Sequence, residues 1–195
     1  MSSGGNTMSK NLWRVRLGAA KKGHDRYETV LNLCKNEKPP CIAVGWGGLD
    51  LSKEIDKIEQ YWNQDYGELF GGSDTAQIRR WVKMKKGDHI IAMIRPATIC
   101  AIGEIIHDRY YKIDGNFEVE IEGYDEDRKV NFFNRIDVKW ITNPDSHVRI
   151  KYLGLPKDLE AKLNIPLTII ELDHDIYNIL KNKINTFEPE EALSS

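Results

Sequence analysis

The chain has 195 residues, 41% hydrophobic and 30% charged, with a formal net charge of −2. That length suits one domain with a sizeable core, and no apolar run reaches the roughly 18 residues a membrane-spanning helix needs. Cys34, Cys41 and Cys100 lack CxxC spacing and sit among apolar neighbours. They read as small buried hydrophobes of a cytoplasmic protein, not as a metal or redox centre.

The small net charge hides a segregated one. Residues 9–35 carry seven Lys/Arg against two acids and residues 76–112 carry eight against three, while residues 156–195 carry four against eight. An acidic end masks a basic body, which suits a surface facing phosphates.

Residues 1–10 open polar and Gly/Ser-rich, without a signal-peptide pattern, and read as a disordered leader or tag. LWRVRL (12–17) alternates with period two, giving a half-buried strand with Trp13, Val15 and Leu17 on the core face and Arg14 and Arg16 on the other. Asp25 and Glu28 form a capping box ahead of a helix striped by Tyr27, Val30, Leu31 and Cys34. CIAVGW (41–46) is an apolar strand running into Gly45, Gly47 and Gly48. Ser52 can cap a helix carrying Ile55, Ile58 and Trp62, and a further helix opened by Asp74 and Gln77 carries Ile78, Trp81 and Val82 to Gly87. Strands follow at 89–93, 98–106, 117–124 and 134–141, then a short helix from Pro156, a strand in PLTIIEL and a last helix striped by Ile176, Ile179, Leu180 and Ile184.

The strands after Gly87 succeed one another without helices, which excludes a doubly wound parallel sheet. The pattern predicts an α+β fold: a curved mixed β-sheet or partly open barrel with helices packed outside. It forms one domain over residues 11–185, with 186–195 an acidic tail or linker.

Catalytic motifs are missing. There is no phosphate loop, no GxGxxG after a strand, no HExxH and no GxSxG, so no cofactor and no metal is implied. Asp137 and Lys139 share a strand face that Glu104 could join, the one triplet a metal-dependent nuclease could use. The same alternation of charge is the ordinary form of a solvated strand face.

The aromatic residues are placed more informatively. Trp46 stands between glycines at a strand end, where a binding tryptophan is better presented than a core one. Tyr110 and Tyr111 follow Arg109 just after a strand, and Phe132 and Phe133 precede another. Such groups either close the ends of the barrel or stack on a nucleobase, with nearby cations taking the phosphates. Trp13, Trp62, Trp81 and Trp140 read as core.

CIAVGWGGLDLS, KKGDHIIAM with ICAIGEI, and FFNRIDVKWI together resemble the EVE-like and YTH-like (PUA-related) base-reading domains. These occur as N-terminal modules of McrB-type modification-dependent restriction proteins. The resemblance spans residues 11–172 and implies a non-catalytic reader of one flipped-out modified base, N6-methyladenine or a modified cytosine, in DNA or, as in YTH domains, in RNA. It implies that Trp46 is one cage wall, with Tyr110 or Tyr111 where the family has a second Trp. Arg16, Gly18 and Ala19 would lie at the base edge, with Gly45, Gly47 and Phe132 about the pocket. Lys21, Lys22, Arg26, Arg79, Arg80, Lys83 and Arg109 would face phosphates, and GTPase and nuclease modules would act as effectors.

Overall fold

The computed structural model describes residues 10–17, 26–46, 49–53, 72–95, 97–120, 129–165 and 167–187. The helix expected after Ser52 lies outside them, as do residues 1–9 and 188–195. In chain order the first elements are β1 (Leu12–Arg16), α1 (Arg26–Asn36), β2 (Cys41–Val44), α2 (Gly72–Lys83), β3 (His89–Arg95) and β4 (Thr98–Ile105). Then come β5 (Tyr110–Tyr111), β6 (Glu118–Glu120), β7 (Lys129–Asn131), β8 (Asn134–Trp140) and β9 (Val148–Arg149). The chain ends with α3 (Lys157–Asn164), β10 (Ile169–Leu172) and α4 (Asp175–Asn185).

The main sheet runs β10-β1-β3-β4-β8-β2, with β5 docked on β8 and β9 on β4, while β6 and β7 form a separate ribbon. β1 and β3 are parallel and the other pairs antiparallel, so the sheet is mixed. It also curls. Residues from β2 at one end of the path and from β1 and the approach to β10 at the other line a common cavity, which a flat sheet of six strands at about 4.8 Å spacing would keep far apart.

Each face of the sheet buries a core. Trp13, Val15 and Leu17 pack inward with Ile90, Ile136 and Val138, with Val30, Leu31 and Cys34 of α1 and with Ile78 and Trp81 of α2. Leu12, Ile91 and Ile102 pack outward against Leu159 and Leu163 of α3 and Ile176, Leu180 and Ile184 of α4. The three cysteines are free and buried.

Asp88 ties the α2–β3 turn together. It accepts from Trp13 Nε1 at 2.8 Å, from the Asn11 amide at 3.0 Å and from the Lys85 amide at 3.3 Å, while Gly87 takes φ = +91°. A buried indole N–H thereby finds its acceptor.

The expectation of a half-buried β1 is corrected. All five residues are buried, Arg14 at 0% exposure. α3 and α4 cover the second face, and main-chain carbonyls at the end of α3 and on the approach to β10 engage both arginines. Arg14 Nη2 donates to Leu167 O at 2.6 Å and Arg16 Nη2 to Asn164 O at 3.2 Å.

Candidate base-binding site

The end of β2 carries the site. A Cβ on Gly45 would overlap the Asn131 carbonyl and lie 3.2 Å from Val130 Cγ1, so glycine lets β2 press against β7. The chain then turns at Trp46, whose carbonyl accepts from the Leu49 amide at 2.9 Å.

Two polar clamps hold the return of this turn. Asn134, buried at the start of β8, accepts from the Leu51 amide and donates to the Leu49 carbonyl, both at 2.8 Å. The Arg109 guanidinium donates to the carbonyls of Leu51 (2.9 Å), Val82 (3.1 Å) and Lys53 (3.3 Å). Burial of its guanidinium lowers the Arg109 pKa from its usual value.

Arg16, Ala43, Val44, Gly45, Trp46, Val130, Phe132 and Thr168 enclose a cavity of about 70 Å³. Since one water needs roughly 10–15 Å³ by this measure, the cavity admits a group of several heavy atoms. Trp46 is 8% exposed, far more enclosed than its glycine-flanked position suggested. Its ring meets Trp81 edge-on, with centroids 6.4 Å apart at 66°, so it is wall and core at once.

Of the expected base-contacting residues, Arg16, Gly45, Trp46 and Phe132 therefore meet in one cavity. Tyr110 and Tyr111 do not line it. They pair with Arg135 and Asn134 of β8; Tyr110 donates to Asp137 Oδ1 at 2.9 Å, and Tyr111 packs edge-on against Phe133 at 5.8 Å. Asn134 and Arg135 pair with β2 as well, so β5 lies across β8 from β2, and Phe132 is the second aromatic at the cavity. Gly18, Ala19, Lys21, Lys22 and Gly47 lie outside the described residues, as does the side chain of Arg26.

Among the expected phosphate ligands, Arg79 and Lys83 are exposed on α2 and Arg80 is half-buried. Arg109 does not present a free cation, because its guanidinium is turned onto three main-chain carbonyls. Sequence reasoning missed Asn134, although the alternation of NRIDVKW places it on the inward face with Ile136 and Val138, an amide where apolar residues belong. Nothing in the sequence marked Thr168 or Val130.

The Asp137, Lys139 and Glu104 triplet lies on the β4–β8 face, Glu104 opposite Lys139. Glu104 ion-pairs with Lys10 at 3.1 Å. Asp137 turns to Tyr110 and to His107 Nδ1 at 2.8 Å. No group of three or more metal-ligating side chains occurs among the described residues. None of their helices is long and apolar enough to cross a membrane.

A curled mixed sheet with an aromatic cavity where its ends approach defines a small α+β domain. By sequence the chain belongs to the family described as a domain of unknown function (DUF8426), whose profile matches residues 13–163. A comparison with curated protein sequences finds no match. Similar solved structures include the YTH domain of the Zygosaccharomyces rouxii MRB1 protein in complex with N6-methyladenosine RNA, at 10% identity and TM-score 0.47, covering 92% of this chain and 89% of that one. Human THYN1 protein in complex with 5-methylcytosine-containing DNA is similar at 15% identity and TM-score 0.47, covering 92% and 100%. Rpa0253 from Rhodopseudomonas palustris follows at 13% identity and TM-score 0.44, covering 92% and 97%.

Proposed function

We propose that this domain is a non-catalytic nucleic-acid reader that receives one extruded, modified base, N6-methyladenine or a modified cytosine in DNA, against Trp46 and Phe132. The observation that carries the reading is the cavity itself: two aromatic residues, a cation and a glycine-lined backbone gathered at the open end of the sheet. Aromatic faces bind any base by stacking, worth about 1–3 kcal/mol each. Enclosing a methyl group adds about 0.8 kcal/mol. Exposed Arg79 and Lys83 on α2, the helix that also supplies Trp81, supply a salt-sensitive hold on the phosphates. Extrusion costs a few kcal/mol, least where pairing is already weakened. The resemblance of the VGWG and RIDVKW segments to readers in McrB-type systems extends the proposal to a cytoplasmic targeting role for GTPase and nuclease partners.

The test compares DNA and RNA oligonucleotides carrying adenine, N6-methyladenine, cytosine or 5-methylcytosine. The wild type should prefer one modified strand, and Trp46→Ala should weaken that complex by at least tenfold. Undiminished binding by Trp46→Ala would refute the cage, a preference for RNA would make this a methylated-RNA reader, and metal-dependent cleavage would make it a nuclease.

A further inference from the structure

The register across β8 decides where the main chain of β2 points. The Val138 amide donates to Pro40 O at 2.8 Å, and the β2–β8 register carries that phase through Ile42–Ile136 to Val44–Asn134. Hydrogen-bonded and non-bonded positions alternate along an antiparallel pair, so Ile42 and Val44 spend both main-chain groups on β8. Cys41 and Ala43 do not, because the residues opposite them turn the other way. Asp137 O accepts from the Ile106 amide at 3.0 Å. Arg135 pairs with Tyr110 of β5, in phase with the Lys112 amide that donates to Phe133 O at 3.0 Å. A trans peptide carries its C=O and N–H on opposite sides of the chain. With both groups of Val44 turned to β8, Ala43 C=O and Gly45 N–H face the free side of β2.

Ala43, Val44 and Gly45 all line the cavity. Among the described residues neither the Ala43 carbonyl nor the Gly45 amide has a hydrogen-bond partner. At the other end of the sheet the Ile169 amide, opposite a non-bonded position of β1, donates to Gln77 Oε1 of α2 at 2.5 Å. One sheet edge is thus capped from within the protein and the other is left open at the cavity. Ala43 is wholly buried, and a buried main-chain group with no protein partner is ordinarily satisfied by a water or a ligand. We propose that the free edge of β2 reads the base: Ala43 O accepts an N–H of its exocyclic amine, and Gly45 N–H donates to the ring nitrogen beside that amine. Adenine offers such a pair at N6 with N1 or N7, and cytosine at N4 with N3. A single methyl on N6 of adenine, or on C5 of cytosine, leaves an amino N–H in place. Edge readout of this kind rests on the base-reading proposal and adds that an amino donor, beyond a stacked ring and a methyl group, is required for entry.

The full chain is titrated with oligonucleotides carrying N6-methyladenine or 5-methylcytosine and with matched strands that lack the amino donor. In the first pair 6-methoxypurine puts an ether oxygen where N6-methyladenine has its N–H; in the second, 5-methylpyrimidin-2-one replaces 5-methylcytosine. Without the donor the Ala43 carbonyl stays unpaired in a closed site, and affinity should fall at least tenfold from that of the preferred modified strand. Hydrogen exchange reads the other half of the contact. The Gly45 amide should exchange at least tenfold more slowly in the complex than in the free protein, while the Val44 amide, already paired with β8, should change less. Equal affinity for the strand without the donor, or a Gly45 amide that exchanges as fast in the complex, would overturn the edge readout. A protein that prefers no modified strand, or whose preference survives Trp46→Ala, would sink the base reading and the edge readout with it. A preference that Trp46→Ala removes but that is indifferent to the amino donor would overturn the edge readout alone.

Discussion

Asn134 and Leu51 meet across 83 residues of chain, the Leu51 amide donating to Asn134 Oδ1 at 2.8 Å. The other end of the same amide donates to Leu49 O. One buried side chain thus closes a ring on the return of the Trp46 turn, holding the cavity wall from behind. Asn134→Ala strands a buried donor and a buried acceptor, each costing about 1–3 kcal/mol. The expected loss is about 3 kcal/mol in denaturant unfolding, with weaker oligonucleotide binding and an unchanged salt slope. An unfolding midpoint at the wild-type value would show that the turn does not depend on this amide.

Arg109 and Lys83 separate structural from phosphate-binding cations. Arg109 spends its guanidinium on three carbonyls, so Arg109→Ala should lower stability by about 2 kcal/mol and leave the salt dependence of DNA binding intact. Lys83, exposed on α2, should show the opposite pattern: stability within about 0.5 kcal/mol of wild type, and a slope of log affinity against log salt reduced by about one. Titrations at several salt concentrations, run beside urea melts, decide the assignment; a reduced slope for Arg109→Ala would return it to the phosphate surface.

Much of this architecture is legible in the sequence where runs are long enough to show a period. The alternation in LWRVRL placed Trp13, Val15 and Leu17 on the inner face, that in NRIDVKW put Asp137 and Lys139 together on one face, and the unbroken strand succession after Gly87 announced a mixed sheet. β5, β7 and β9 have only two or three residues each, too few for a period to register. The position of Tyr110 and Tyr111 depends on pairing with β8, a long-range choice that local pattern does not encode. Arg14 was misjudged for the same reason, because the carbonyl it meets lies 153 residues away. The cavity was readable at Arg16, at the GWG turn after β2 and at Phe132, and not at Val130 or Thr168.

Gly45 sets how closely the Trp46 turn approaches the β7 ribbon. An added methyl would overlap the Asn131 carbonyl, and main chain yields less readily than a flexible side chain. Gly45→Ala should therefore push β2 and β7 apart, costing about 1–3 kcal/mol as overpacking does. Binding should fall further than stability alone explains, since Val130 and Phe132 belong to the displaced segment. Compared with Gly115→Ala, where a Cβ meets nothing within 4 Å, the loss should be specific. Equal behaviour of the two variants in melts and binding would remove Gly45 from the site.

His89 makes docking of the last helix sensitive to pH. Its Nδ1 lies 3.1 Å from His174 Nε2, just before α4, and its ring stacks on Tyr177 of α4 with centroids 3.9 Å apart. Burial, then the charges of Lys10 and His174, lower its pKa from the usual 6.5, against the opposing pull of Glu104 and Asp88. The unfolded chain therefore takes up a proton near 6.5, while the folded one resists until a lower pH. In that window the unfolded state binds more protons, so stability rises with pH. The contribution is complete above 6.5 and is lost as the pH falls through the folded value. Melting temperatures followed from about pH 7.5 down to about pH 5 should drop in the wild type and fall less steeply in His89→Gln, which removes this titration. If both proteins lose stability in parallel, the acid sensitivity belongs to other groups and the His89–His174 contact is not its source.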